Sequence, residues 1–397
     1  MPGFASLALG VWVRTGSRHE PARWAGITHF LEHLVFKGAG GRSAREIAEW
    51  MDAIGADLNA YTTKEHTAFT VRCMGRHLPD AMEALAGLVL RPALARIDVE
   101  RERRVVLDEI RLALDAPDDR VHDLFESLLW SGSPLGRPVL GTEETLRAVG
   151  SRVARSYFER AYTPQRMVVV AAGNVDPASF RALVHRHFAA VSPGQSPDPE
   201  PALESESSTS VVRDAGKDVH VVVGTEALRA ADPRWAEQEL WVLMLGGGPA
   251  SRLFQELREE RGLCYSVYAF ALTYRDTGAV GVYTACPPRH VRLALDLIGD
   301  HWQRLAGDGP GAQELERAKE QWESGFRMGL EQPSGMAQHL GEGLMLLDRV
   351  EEPEDTVRRV RRATVASVRA YASTLAPRAR WTLAGVGPIS RRVRSLA

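Results

Sequence analysis

Two histidines and a glutamate near the start of the chain have a spacing suited to metal chemistry. The run Thr28–Lys37, THFLEHLVFK, contains His29, Glu32 and His33 and is followed by the glycine-rich stretch Gly38–Gly41. On a helix, residues four apart lie about 40° apart around the axis, so both imidazoles project from one face. Glu32 lies beside them, close enough to take a proton from a water molecule on a metal ion. Two neutral imidazoles with an open position for water are typical of a catalytic zinc site that still lacks one ligand.

The alternative for these side chains is a solvent-exposed cluster, because histidine and glutamate three or four residues apart also form surface pairs on helices. The remaining residues of this helix are apolar, namely Phe30, Leu31, Leu34, Val35 and Phe36. We therefore expect the helix to be largely buried, and buried titratable groups need a partner or a metal.

Glu109 is the predicted third ligand, on a later helix that we expect Asp98 to cap. Glu102 and Glu109 are seven residues apart, so they share a helix face two turns apart. Apolar residues flank Glu109, and a buried carboxylate there is stabilised if it binds a metal. A solvated charged face is the alternative, and it suits other side chains of this helix better: Glu100, Arg101 and Arg104.

Several patterns predict the elements that position these residues. Ser43 and Glu46 form a capping box that opens an amphipathic helix ending near Gly55. The alternating runs Leu58–Tyr61 and Thr67–Cys73 predict a β-hairpin. A further helix is expected over Leu78–Leu90. Helices grouped with hairpins, without strict βαβ alternation, favour an α+β fold.

The first apolar segment, Phe4–Val13, is predicted to be a buried strand. No basic residue precedes it and Arg14 follows it at once, which is the reverse of the polarity of a signal peptide. No apolar run approaches the roughly 18 residues that a membrane span needs. We therefore expect a cytoplasmic protein.

Composition gives the chain the balance of a folded protein without a strong charge bias. Its 397 residues are 44% hydrophobic and 25% charged, and 49 basic against 51 acidic side chains leave a formal charge of −2. This near-balance gives no reason to expect nucleic acid or an anionic membrane as a partner. The three widely spaced cysteines exclude a disulfide framework and a CxxC-type zinc site: Cys73, Cys264 and Cys286.

The chain divides near its middle. Residues 191–210 hold four prolines and four acidic residues, a composition typical of a linker. We therefore predict one domain over 1–190 and a second over 211–397.

The two halves repeat each other. Val99–Pro117 and Leu315–Pro333 share their length, an early Glu-Arg and a closing proline, at an offset of 216 residues. Pro164–Gly173 resembles Pro377–Gly385 at nearly the same offset. Two agreeing offsets indicate a tandem duplication. The second half has no HxxEH, and Gly325 stands where Glu109 stands in the first, so only the first domain is expected to hold the metal.

Together these motifs resemble the pitrilysin and mitochondrial processing peptidase family, in its single-chain, two-domain bacterial type. HFLEH is the inverted zinc motif, and Glu109 lies 76 residues beyond His33, the spacing of that family's third ligand. ERERRVVLDEI resembles its ligand helix, with Glu102 as a second glutamate seven residues earlier. LNAYTTKEHTAF is similar to its substrate-binding hairpin, and SRLFQELREERGLCYSV to its arginine–tyrosine segment. The family normally has one more strand before the segment that starts here at Ala5.

The resemblance implies an α+β fold of two homologous domains, each a mainly antiparallel sheet packed with helices, and a zinc metallopeptidase activity. His29, His33 and Glu109 would bind one zinc ion per chain, with Glu32 as general base and Glu102 as a supporting residue. Further roles concern the substrate: Asn59 and Ala60 would bind an extended peptide as an added strand, and Arg258 and Tyr265 would bind substrate or stabilise the transition state.

The resemblance also implies an endopeptidase acting on peptides or unfolded segments inside a clamshell chamber, assembled as a homodimer with composite active sites. The alternative is a non-catalytic structural or processing-partner subunit of the same fold. Such members typically lose metal ligands, whereas all four zinc-motif residues are present here.

Overall fold

Two compact units make up the computed structural model, which describes residues 1, 3–190, 208–375 and 377–388. The first unit consists of the described parts of Met1–Arg111, Arg137–Glu200 and Arg327–Val350. The second consists of the described parts of Leu112–Gly136, Pro201–Phe326 and Glu351–Ala397.

Helices and strands alternate irregularly along the chain. Before residue 191 the elements are β1 (Ser6–Val13), α1 (Ile27–Val35), β2 (Gly38–Ala39), β3 (Arg42–Ser43), α2 (Ala44–Ala53), β4 (Asp57–Thr62), β5 (Thr67–Met74), α3 (Leu78–Leu90), α4 (Arg96–Asp115), α5 (Pro117–Leu129), α6 (Glu143–Arg147), α7 (Ser151–Ala161), β6 (Met167–Gly173) and α8 (Pro177–Phe188). From residue 208 they are β7 (Thr209–Arg213), β8 (Val219–Ala227), α9 (Trp235–Gly246), β9 (Ser266–Thr273), β10 (Gly278–Cys286), α10 (Val291–Gly307), α11 (Ala312–Leu330), α12 (Pro333–Leu347), α13 (Pro353–Arg362), α14 (Val365–Ala372) and β11 (Thr382–Gly387).

The first unit is built on an antiparallel sheet with the strand order β4-β5-β1-β6. Strand β1 is buried on both faces, as its continuous apolar sequence predicts. Its odd-numbered residues, from Leu7 to Val13, join the core formed with α1 and α3, whereas Ala8 and Trp12 face α12. The hairpin predicted over Leu58–Cys73 is confirmed, and β4 lies at the sheet edge.

The second unit repeats this plan with one more strand. Its sheet has the order β7-β11-β8-β10-β9, in which β8, β10 and β11 take the places of β1, β5 and β6. All pairs are antiparallel except β7 with β11. The described part of the first sheet has no counterpart of β7. The predicted α+β class, with two similar and mainly antiparallel domains, is confirmed.

One helix of each sequence half belongs to the other unit. Helix α5 packs on β8 and β11, and α12 packs on β1 and β6, which are the equivalent positions of the two sheets. Pro117 and Pro333, the closing prolines of the repeat, are the first residues of these helices. The units therefore do not follow the predicted boundaries 1–190 and 211–397 throughout, because each sheet buries its apolar face against a helix from the other half.

Smaller expectations also differ from the structure. Helix α4 begins at Arg96, so Asp98 lies in its first turn rather than at its cap, where a carboxylate still favours the helix N-terminus. Of the predicted linker, residues 191–207 lie outside the described residues, and Thr209 and Ser210 belong to β7. The capping box of Ser43 and Glu46 and the helix Leu78–Leu90 are confirmed. Within the described ranges, no helix combines the length and apolar character needed to cross a bilayer.

Candidate metal centre

Helix α1 places His29 and His33 on one face, as the spacing predicted. Their ring centroids are 4.6 Å apart. The opposite side of the helix is anchored in the first core by fully buried residues: Ile27, Phe30, Leu31 and Leu34. This burial fixes the rotation of the helix, so the two imidazoles have a defined direction.

Glu109 completes a group of three donors. It lies on α4, whose buried residues Val106 and Ile110 pack in the same core. Oε1 of Glu109 is 3.6 Å from Nε2 of His29, and Oε2 is 3.5 Å from Nε2 of His33. One donor atom of each residue lies within 4.8 Å of the others, and no second group of this kind occurs among the described residues.

These separations fit a tetrahedral metal ion. Donors bound at about 2.0–2.1 Å with tetrahedral angles lie roughly 3.4 Å from one another. The observed nitrogen–oxygen distances are close to this value and too long for good hydrogen bonds. Burial, and next His33, lower the pKa of His29 to about 4, so its imidazole is neutral at neutral pH, as a ligand must be. The residues present therefore fit zinc.

Glu102 lies behind the donors and is itself buried. Its Oε1 is 2.9 Å from Nδ1 of His33, the nitrogen that faces away from Glu109, and its Oε2 is 2.8 Å from Nζ of Lys37. A carboxylate on the far nitrogen of a ligand imidazole fixes the ring orientation and makes the other nitrogen a better donor. The sequence interpretation did not include Lys37, although it ends the run that carries the motif.

Glu32 lies beside the three donors and has a hydrogen-bond partner of its own. The hydroxyl of Thr62, the last residue of β4, donates to Oε2 of Glu32 at 2.6 Å. Burial raises the pKa of Glu32, and Glu109 adds to this, while Thr62 and His33 act in the opposite direction. A carboxyl group with a raised pKa exchanges protons more readily near neutral pH. The sequence interpretation missed Thr62, though strand alternation from Ala60 already places it on the same face of β4.

Asn59 and Ala60 lie on the exposed edge of the sheet. The N–H of Ala60 donates to Oδ1 of Asn59 at 2.8 Å instead of to β5, so it points outward. Because N–H and C=O of one strand residue point to the same side, Ala60 offers both groups to an added strand. Strand β4 ends two residues later at Thr62, the hydrogen-bond partner of Glu32.

Arg258 and Tyr265 belong to the second unit. Arg258 lies on a seven-residue π-helix, Phe254–Glu260, and its guanidinium lies 4.9 Å from the ring centroid of Tyr265. The Tyr265 side chain is 83% exposed, which is unusual for a large aromatic group. Single π-helical turns are frequent at functional sites.

The sequence of the chain matches two family models and several bacterial proteins. A model described as "Insulinase (Peptidase family M16)" matches residues 3–143, and one described as "Peptidase M16 inactive domain" matches residues 152–322. The chain is 40% identical over 395 residues to an uncharacterized zinc protease of Mycobacterium tuberculosis, covering 98% of this chain and 90% of that protein. It is 34% identical over 376 residues to an uncharacterized zinc protease of Bacillus subtilis, covering 94% and 91%.

Solved structures agree in fold. A protease from Helicobacter pylori has a TM-score of 0.91 at 19% identity, covering 96% of this chain and 94% of that chain. A peptidase M16 inactive domain structure from Pseudomonas fluorescens has a TM-score of 0.90 at 19% identity, covering 98% and 94%. The predicted family resemblance is confirmed: the chain belongs to peptidase family M16, the insulinase family, and its relatives at 34–40% identity are named zinc proteases.

Proposed function

We propose that this protein is a zinc-dependent endopeptidase that cleaves extended peptides or unfolded segments. The observation that carries the proposal is the group of His29, His33 and Glu109 at separations suited to tetrahedral zinc, with Glu32 beside it and an open strand edge next to Glu32. The retained metal donors argue against the alternative of a non-catalytic subunit.

In this proposal three side chains hold one zinc ion per chain: His29, His33 and Glu109. A bound zinc ion would supply Lewis acidity, which makes water more acidic and polarises a carbonyl group. Glu32 takes the proton from the attacking water and delivers it to the leaving amine, and Thr62 keeps its carboxylate in place. Glu102 holds the imidazole of His33 in one orientation.

The substrate binds by strand addition to β4. The outward N–H and C=O of Ala60 pair with the backbone of the peptide, and Asn59 releases the N–H when the peptide arrives. This mode reads backbone more than side chains. We therefore expect broad specificity for peptides that can become extended, and little cleavage of folded proteins.

The active form is proposed to be a homodimer that closes as a clamshell chamber. Arg258 and Tyr265 of one chain would then serve the metal centre of the other, binding substrate or stabilising negative charge that develops on the scissile carbonyl. Because this chain carries both sets of residues, no different partner is needed.

Metal analysis combined with a peptide assay tests the proposal. The purified protein should contain about one zinc ion per chain and cleave an unstructured fluorogenic peptide internally, with the cut sites read by mass spectrometry. A chelator should abolish cleavage and added zinc should restore it. A zinc-loaded protein that cleaves none of a varied set of unstructured peptides would contradict the proposal.

A further inference from the structure

A group of charged side chains is buried beside the metal centre, although none of them is a zinc donor. Arg18 and Glu20 lie between β1 and α1, and Lys64 and Glu65 lie in the turn between β4 and β5. The Arg18 and Glu65 side chains are 2% and 5% exposed, and Glu20 and Lys64 are buried as well. Burying charge is unfavourable unless the groups are paired in a defined geometry.

Glu20 acts as the N-terminal cap of the metal-binding helix. The helix has Gly26 at its N-cap, with φ of 90°, and a Cβ atom there would lie 2.3 Å from the carbonyl oxygen of Leu140. A capping Ser, Thr or Asp therefore cannot occupy this position. Instead, Oε2 of Glu20 accepts from the N–H of Gly26 and Oε1 accepts from the N–H of Thr28, both at 2.7 Å. The next residue after Thr28 is the metal donor His29.

Arg18 holds the hairpin turn that follows the substrate-binding strand. Its Nη1 is 2.5 Å from Oε1 of Glu65. The backbone is tied at the same place, because the N–H groups of Ser17 and Arg18 donate to the carbonyls of Thr63 and Lys64 at 3.1 and 2.9 Å. This turn begins immediately after Thr62, the partner of Glu32.

Arg137 links the two sides. Its Nη1 donates to the carbonyl of Glu20 at 2.7 Å, and its own carbonyl accepts from Nζ of Lys64 at 2.6 Å. A continuous set of contacts thus runs from the first turn of α1 through the segment Ser17–Glu20 to the hairpin. We call Arg18, Glu20, Lys64, Glu65 and Arg137 the polar strut.

We propose that the polar strut is a positioning device that fixes the metal-binding helix and the peptide-binding strand relative to each other. Glu20 is the positioning residue for the metal donors, and the Arg18–Glu65 pair is the positioning element for β4. The second role rests on the proposed peptidase function, whereas the first concerns metal binding alone. We call these two roles the Glu20 arm and the Arg18–Glu65 arm of the proposal. The first predicts a defect in zinc binding and the second a defect in peptide cleavage, so they can be tested separately.

The Glu20 arm is tested with Glu20→Gln. The amide keeps the size of the side chain but has only one acceptor oxygen, so one of the two cap hydrogen bonds is lost. We expect zinc affinity, measured by competition with a chelator, to fall about tenfold, and the visible spectrum of the Co²⁺-loaded protein to change. The matched control is Ser43→Ala, which removes a side-chain cap from α2, a helix without metal donors. It should lower the unfolding temperature and leave zinc affinity and the Co²⁺ spectrum unchanged.

Unchanged affinity and an unchanged spectrum in Glu20→Gln would overturn the first arm. So would an equal loss of affinity in Ser43→Ala, because the effect would then be one of general stability. Neither measurement requires the protein to cleave peptides. A wild-type chain that binds zinc but cleaves no peptide would therefore contradict the proposed function. The Glu20 arm would still be decided by the zinc affinity and the Co²⁺ spectrum of Glu20→Gln.

The Arg18–Glu65 arm is tested with the double substitution Arg18→Met and Glu65→Met. Replacing a buried ion pair by apolar side chains often keeps a protein stable, so folding and zinc affinity should stay within about twofold of wild type. We expect kcat/KM for an extended peptide to fall about tenfold, because the hairpin loses its fixed position. Wild-type kcat/KM in the double variant, or a loss of zinc affinity equal to that of Glu20→Gln, would overturn this arm.

Discussion

Glu32 and Glu109 are carboxylates beside the same pair of imidazoles, yet their contacts differ, as the different roles proposed for them require. Both oxygens of Glu109 lie 3.5–3.6 Å from imidazole nitrogens, whereas Glu32 accepts a short hydrogen bond from Thr62 and lies in a more buried place. Metal binding and proton transfer should therefore be separable by single substitutions.

Glu32→Gln should keep about one zinc ion per chain and lower turnover by at least a hundredfold, because the amide cannot take up the proton. Glu109→Gln should lose zinc and activity together, since it removes a ligand. Zinc content and peptide cleavage are measured on the same preparations. An active Glu32→Gln variant would show that another group is the base.

Buried histidines predict how stability depends on pH. Burial lowers the pKa of His66 to about 4, whereas an unfolded histidine titrates near its ordinary value of 6.5. Between these values the unfolded chain binds more protons than the folded one. The free energy of unfolding that depends on His66 is therefore highest above pH 6.5 and decreases as the pH falls to about 4. Burial raises the pKa of Glu20 to about 7, and this shift increases the free energy of unfolding as the pH falls, opposite to the effect of His66. The effect of His66 must therefore be measured as the difference between the wild type and a His66 variant.

His66→Gln should therefore lose less stability than wild type between pH 6.5 and 4, by on the order of 2 kcal/mol. The measurement is denaturant unfolding of the metal-free protein across this range, with the exposed His185→Gln as the matched control. Parallel pH curves for wild type and His66→Gln would contradict the prediction.

At the scale of elements, the site depends on two that meet at Thr62. Helix α1 is fixed by its buried face and by Glu20, and β4 is fixed by its pairing with β5 and by the turn that follows it. The free side of β4 is available to a substrate, and its backbone groups can be tested without altering the metal donors.

Ala60→Pro removes the outward N–H of the edge strand and should lower kcat/KM about five- to tenfold, the effect of losing one backbone hydrogen bond. Zinc content should not change, because Ala60 is not one of the three donors and its N–H is hydrogen-bonded to Asn59. Ala60→Ser is the control, since it changes the side chain and keeps the N–H. Equal cleavage by the proline variant would argue against strand addition at this residue.

At the scale of the whole molecule, the candidate residues are divided between the two units: His29, His33 and Glu109 lie in the first, and Arg258 and Tyr265 lie in the second. The proposed homodimer brings these sets together between chains. Two inactive variants then complement each other: Glu32→Gln on one chain, and Arg258→Ala with Tyr265→Phe on the other. After subunit exchange, a heterodimer has one site with both defects and one with neither.

Random pairing of equal amounts of the two variants makes about half of the dimers heterodimers, and each heterodimer has one intact site out of two. Mixing should therefore restore about a quarter of the wild-type activity. Exchange is verified independently, for example by mass spectrometry of differently tagged chains. No recovery despite proven exchange would mean that each chain builds its site alone.

Much of the site followed from sequence because helical and strand periodicity are local. The spacing of His29, Glu32 and His33 alone determines that they share a helix face, and the alternation of Leu58–Cys73 determines a hairpin with Ala60 and Thr62 on one side. The offset between the halves likewise indicated two similar sheets. Glu109 could be identified by its resemblance to a ligand helix, but its distance to the imidazoles depends on how α4 packs.

The tertiary structure alone decided which sheet each helix covers and which polar groups support the site. Helices α5 and α12 each pack on the sheet of the other sequence half. Hydrophobic burial is not directional, so the apolar residues of a helix do not by themselves predict which sheet it covers. The contacts of Glu20 with α1, of Arg18 with Glu65 and of Lys37 with Glu102 join residues far apart in the chain or in different elements. Hydrogen bonds are short and directional, so such pairs form only once packing has set the backbone positions.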